Sequence, residues 1–280
     1  MNNIQVSIQN KRMNYIFLLL LLGLLFLRFP FLILLEFYKI PIAKTEGINI
    51  FQCGTYLIAA ILIFLKRNSL LDYHIGFYSL LIFILTPVLK PVSKYLLLFT
   101  GVSSLKESIS WFQIVTSICL FIALLIYRPK LRKRSIKEIL FWLLISVAVG
   151  ICSGIIIGSI LTLQEKRSLN HASISLFINM FFIQLGNAAV MEEPLFRGFL
   201  WGFLRNIHWK DYWIWLMQAA LFMLGHIYYL GIHNYSFWIT VPFGALVLGL
   251  IAWRSRSIGT SMIVHGLINS VSDILVHTTW

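Results

Sequence analysis

Nine long apolar runs divide this sequence, and they leave few folds open. They lie near 15–35, 48–65, 75–99, 111–127, 139–163, 172–190, 212–230, 237–253 and 258–276. Runs of roughly 17 to 25 apolar residues match the thickness of a bilayer when helical. In lipid every backbone N–H and C=O must be paired within the segment, which favours helix. With 59% hydrophobic and only 12% charged residues, no water-soluble fold can hide the apolar surface. The predicted class is all-α, a polytopic membrane protein of eight or nine transmembrane helices. The count is a range because Pro87, Lys90 and Pro91 interrupt the third run, and Arg28 and Pro30 interrupt the first.

The net charge of +13 would suit a nucleic-acid binder, but the basic residues sit in short gaps between apolar runs. That is the pattern of loops facing anionic lipid headgroups. Nucleic acid is therefore excluded as a partner, and the lipid bilayer takes its place. Lys11 and Arg12, Lys66 and Arg67, the loop 128–137, Arg205 with Lys210, and Arg254 with Arg256 fall on one side of a nine-span arrangement. Lys166 and Arg167 are the exception. This bias puts the N-terminus in the cytoplasm and predicts an integral protein of the cell membrane. The first run is too long for a signal peptide and reads as an anchor. Cys53, Cys119 and Cys152 lie in apolar stretches without a metal-binding spacing and read as small buried residues.

The basic loop at 128–137 suggests two parts, N-terminal helices over 1–138 and a second membrane domain over 139–280. In the fifth run Gly150, Gly154 and Gly158 recur at every fourth residue, leaving a bare stripe for a close helix neighbour. Gly198 and Gly202 suggest the same.

Ionisable residues inside spans are costly and point to function. Three sets stand out, all in the second part. In Met191-Glu192-Glu193-Pro194-Leu195-Phe196-Arg197 the adjacent carboxylates point about 100° apart on a helix. Glu193 and Arg197, four residues apart, suit an ion pair. Glu192 lacks that partner and is open to acid/base work. Pro194 disfavours a helical Glu193, so a kink is predicted. Phe222 and His226 share a face, so the ring can wall off the imidazole, and Gly225 opens space beside it. His265 and Asn269 also share a face and offer donors for a developing oxyanion. Taken singly, each set has a bland reading: an interfacial cap, a packed histidine, an interhelical hydrogen bond. Together they supply a base, an orienting histidine and oxyanion donors, as water activation at a peptide bond requires. His171, His208, His233 and His277 read as loop or end residues, and His74 as interfacial. Trp209, Tyr212, Trp213, Trp253 and Trp280 read as interfacial anchors.

EEPLFR, FMLGH and HGLIN resemble, in order and separation, the EExxxR, FxxxH and HxxxN motifs of the CAAX-protease and bacteriocin-processing membrane protease family. The resemblance covers roughly 140–277 and implies an intramembrane endopeptidase acting on a peptide or lipidated protein. It further implies that Glu192 activates a water, His226 holds it, and His265 with Asn269 stabilise the tetrahedral intermediate. Glu193 and Arg197 would then be supporting residues. The family has been described both as zinc-dependent and as metal-free. The sequence has no HExxH, so no cofactor is favoured, although zinc on Glu192, His226 and His265 is the alternative. A non-catalytic immunity or signalling partner on the same fold is the competing function. A proton-coupled transporter is a third, but it predicts inverted repeats, and none is evident.

Overall fold

The computed structural model describes residues 2–37, 44–99, 111–165 and 174–276. Lys166, Arg167, His171, His277 and Trp280 lie outside them. Helices follow the apolar runs one for one: α1 (Met13–Phe37), α2 (Lys44–Leu65), α3 (Phe77–Phe99), α4 (Trp111–Ile126), α5 (Ile136–Glu165), α6 (Ile174–Asn206), α7 (Asp211–Leu224), α8 (Ser236–Ser255) and α9 (Ile258–Leu275). Among the described residues there is no strand.

The expected eight or nine spans are matched only in part. Among the described residues six helices are long and apolar enough to cross a membrane, or seven if Arg67–Tyr73 and Phe77–Leu89, bent by 104°, form one broken span. α4 has 16 residues and α7 has 14. At 1.5 Å per residue they reach only ~24 and ~21 Å, short of a ~30 Å hydrocarbon core. α7 is short because its apolar run turns away after Gly225 into a 3-10 turn, Ile227–Tyr229. The chain is nonetheless an integral membrane protein, with many large apolar side chains on its outer surface.

The prolines do not break the helices as the sequence suggested. Glu193 keeps right-handed helical angles (φ −63, ψ −41) ahead of Pro194. The backbone instead widens into π turns, Leu185–Ala189 and Pro194–Leu200 within α6. A wider turn accommodates both the missing N–H and the bulk of the ring. In α1 a π turn over Leu27–Phe31 surrounds Pro30 and carries Arg28. In α3, Pro87 cannot donate to the Phe83 carbonyl four residues back; the Tyr56 hydroxyl of α2 donates to it at 2.8 Å. The orphaned acceptor thus becomes a contact between helices.

The glycine stripe behaves as predicted. A methyl at Gly154 would meet Val271 Cβ at 2.7 Å and the Ile268 carbonyl oxygen at 3.0 Å, and Gly150 and Gly158 face Leu267 and Leu275 in the same way. α5 therefore lies flush along α9. Gly202 likewise gives way to the Tyr73 ring. The main core joins both sides of the 128–137 loop: Phe17 and Leu21 of α1, Tyr56 of α2 and Phe83 of α3 pack with Phe196 and Phe199 of α6 and Met262 of α9.

At one end of the bundle a polar cluster ties the loops. Asp211 accepts from Trp201 Nε1 at 2.9 Å and from Arg205 Nη2 at 2.8 Å, with Arg256 at 3.6 Å. Burial alone would raise the Asp211 pKa, but these hydrogen bonds and charges outweigh it and hold the carboxyl below its ordinary value. His74 is buried rather than interfacial. It sits at the bend before α3 with φ 57, bonded to the Ala252 carbonyl at 3.0 Å and to Arg205 at 2.8 Å.

Candidate active site

The two adjacent carboxylates of α6 diverge as helical geometry requires, and they meet different surroundings. Glu193 is fully buried and saturated. Its Oε1 accepts from Arg197 Nη1 at 3.1 Å and from His265 Nδ1 at 2.9 Å, and its Oε2 accepts from the Ser261 hydroxyl. Arg197, also fully buried, gives its Nη2 to the Ala245 carbonyl of α8 at 3.1 Å and stacks over the Phe222 ring at 4.5 Å. The ion pair expected from the four-residue spacing is therefore present, and it is shared with α8 and α9. Because a carboxylate only accepts, His265 must carry a proton on Nδ1. In the neutral ring this turns a bare Nε2 towards Glu192 Oε2, at 3.8 Å.

Glu192 is buried but only half satisfied. Its Oε1 lies 2.6 Å from Arg28 Nη2 and 3.9 Å from His226 Nε2. Its Oε2 is buried with no hydrogen-bond partner. Buried polar atoms without partners are rare and costly, and this oxygen accepts from no described group of the protein.

His226 lies not within α7 but two residues beyond its end. Gly225 closes the helix, and His226 adopts φ −108 and ψ 19. The helical bond to the Phe222 carbonyl is lost there, and the imidazole Nδ1 replaces it at 2.8 Å. That bond fixes the tautomer and leaves Nε2 as an acceptor, which Arg28 Nη2 fills at 3.1 Å. The Phe222 ring covers the imidazole at 4.7 Å between centres, as the spacing predicted. Gly225 makes room, but for the Arg28 side chain: a methyl there would sit 3.2 Å from Arg28 Nε.

Asn269 is placed differently. Its amide nitrogen donates to Gln184 Oε1 at 3.2 Å, and Gln184 donates in turn to Asp273 Oδ2 at 2.6 Å. The fold thus gathers Glu192, Glu193, Arg197, His226 and His265, and ties Asn269 to a neighbouring chain of polar groups along α6 and α9. Sequence reasoning passed over Arg28, Gln184, Ser261 and Asp273. Their signal was available: Arg28 and Asp273 are ionisable residues in apolar runs, and Ser261, His265, Asn269 and Asp273 recur every fourth residue.

Glu192, His226 and His265 are the residues that could hold a metal. As arranged they suit one poorly, because Arg28 sits on Glu192 Oε1 and on the single His226 Nε2 lone pair and would set a second cation against the ion. Among the described residues no group of three His, Cys, Asp or Glu has the geometry of a metal site.

No curated protein and no solved structure matches the chain. A protease family does match, over residues 173–271, under the description type II CAAX prenyl endopeptidase Rce1-like. That segment, less than half of the chain, holds Glu192, Glu193, Arg197, His226, His265 and Asn269, and it is similar to the Rce1-like endopeptidases.

Proposed function

We propose that this protein is an intramembrane endopeptidase hydrolysing a peptide bond of a membrane-associated protein or peptide, of the CAAX type or the bacteriocin-leader type. The observation that carries the reading is the unpartnered, buried Glu192 Oε2 facing His265 Nε2 at 3.8 Å. Both atoms are acceptors, and a water's two hydrogens satisfy both. Held so, the water keeps both lone pairs, and one of them can reach a carbonyl carbon. Glu192 takes its proton, and later returns it to the leaving amine. His226, held by Phe222, walls the site on the other side. Glu193 cannot compete as the base, because Arg197, Ser261 and His265 already fill its oxygens. Asn269 retains one N–H for the developing oxyanion. The cell membrane is the proposed location.

This reading routes no step through a metal, and the position of Arg28 is its support. Purified protein should carry well below one zinc per chain and cleave after chelation. One zinc per chain, lost in Glu192→Gln, His226→Ala and His265→Ala but kept in Asn269→Ala, would overturn the metal-free part alone. The function itself is tested by comparing protein and peptide termini in cells carrying wild type or Glu192→Gln. Termini that depend on Glu192 support it; identical sets, with no cleavage of a farnesylated CAAX peptide in liposomes, sink it.

A further inference from the structure

α1 lies outside the matched segment, yet it sets Arg28 against Glu192. A buried guanidinium in a span is expensive. If its purpose were only to neutralise Glu192, the 2.6 Å contact through Nη2 would suffice. The site goes further. It keeps Arg28 Nε buried without a partner, and it lets that part of the side chain pack against Gly225, where a methyl would sit 3.2 Å from Nε.

The other donors around Glu192 are largely committed. His226 gives its Nδ1 proton to the Phe222 carbonyl and His265 gives its own to Glu193, so as neutral rings neither has an N–H left. Arg197 spends its Nη atoms on Glu193 and the Ala245 carbonyl, and although its own Nε is also buried without a partner, its guanidinium is held over the Phe222 ring by those two bonds. Asn269 has spent one of its two amide hydrogens on Gln184. A carbonyl oxygen that turns into an oxyanion here finds one cation touching both the base and an imidazole, and that cation is Arg28.

We infer that Arg28 is a catalytic residue, the counter-ion of Glu192 at rest and of the oxyanion in the tetrahedral intermediate. The inference rests on the endopeptidase reading above. In the first step a water O–H bond breaks and its proton goes to Glu192. The water oxygen bonds to the carbonyl carbon, and the carbonyl π pair moves onto its oxygen. One negative charge leaves Glu192 and one appears on the substrate, so the charge of the site is unchanged. The guanidinium follows it, using N–H donors that Glu192 no longer holds and the free Nε. On collapse the C–N bond breaks, its pair stays on nitrogen, and Glu192 returns the proton. Glu192 is then again a carboxylate paired with Arg28. Such an arrangement needs no reorganisation of charge by solvent, which is where preorganised sites gain most.

The test uses the full chain in liposomes, a farnesylated CAAX peptide, and a peptide phosphinate that mimics the tetrahedral intermediate. Arg28→Met should lower kcat about 10²–10³-fold, the usual effect of losing an oxyanion donor, with KM within about three-fold. Phosphinate affinity should fall in parallel with kcat/KM. Arg28→Lys keeps the charge but not the fork, and should lie between. A kcat within about three-fold of wild type in both variants overturns the inference and leaves the endopeptidase reading standing. So does a loss that follows thermal stability while the ratio of phosphinate to substrate affinity stays constant. Should Arg28→Met not fold, Arg28→Lys decides alone by the same two measures. A wild type that does not cleave the peptide sinks the CAAX-directed reading, and the inference with it.

Discussion

α5 and α9 lie against each other along the Gly150, Gly154 and Gly158 stripe, yet they live in different solvents. The most apolar stretch of α5 has a mean hydropathy of 2.6 and is 22% buried; that of α9 has 1.2 and is 72% buried. In a water-soluble protein the order would be reversed. Here lipid solvates the apolar helix, and protein must solvate the polar one. α9 carries Ser261, His265, Asn269 and Asp273 and finds partners for them on α6: Glu193 for the first two, Gln184 for the others. Low hydropathy in a span thus marks the interior of the bundle, where chemistry is possible.

The sharpest test of this contrast is at the interior face. Glu192→Gln removes the proposed base and should reduce kcat on the order of 10²–10⁴-fold, with the thermal transition in detergent little changed. Retained turnover would mean that the polar interior serves packing only. Next is Glu193→Gln, which strips charge from a buried network of Arg197, His265 and Ser261. It should cost about 3–5 kcal/mol, the range for breaking one partner out of a buried pair, and lower activity as well. If Glu192→Gln and Glu193→Gln had equal stability and equal residual activity, the division between a working and a supporting carboxylate would fall.

Gly154→Val probes the seam itself. Its Cβ would meet Val271 Cβ at 2.7 Å and a backbone oxygen at 3.0 Å, so overpacking should cost about 1–3 kcal/mol. An unchanged melting temperature would mean that α5 docks loosely. Outside the spans, Asp211 should show in the acid limb only. Its folded pKa lies below the ordinary ~3.9, so its contribution is complete above that value and is lost as the pH falls through the folded pKa. Asp211→Asn should therefore flatten the stability curve below about pH 4, as read by thermal melts across pH. The smallest effect belongs to the lipid face of α5. Leu144 is 69% exposed, and Leu144→Ala should change stability by no more than about 0.5 kcal/mol. A larger loss in the monomer would show that this face is covered by protein.

Much of the site was legible because its parts repeat within single helices. Glu193 and Arg197, Phe222 and His226, and His265 and Asn269 are each four residues apart, and backbone geometry alone sets them on common faces. What escaped was Arg28, read as an interruption of the first run. It reaches His226 across 198 positions of sequence, and no local period reports such a contact. The placement of His226 was misjudged for a related reason. The apolar run continues past Gly225, whereas the helix stops there because the imidazole takes over the Phe222 carbonyl.

Composition and spacing by themselves determined that the chain is helical, embedded in lipid, and furnished with two adjacent carboxylates, two imidazoles and a paired arginine. These follow from the cost of unpaired backbone in hydrocarbon and from the 3.6-residue turn. Only the tertiary structure decided which carboxylate oxygen is left bare, which cation stands beside it, and how many helices are long enough to cross. Between helices in lipid there is no hydrophobic force to favour one rotation or depth over another. Those choices rest on glycine seams, widened turns at Pro30 and Pro194, and polar atoms that have to find one another across the bundle.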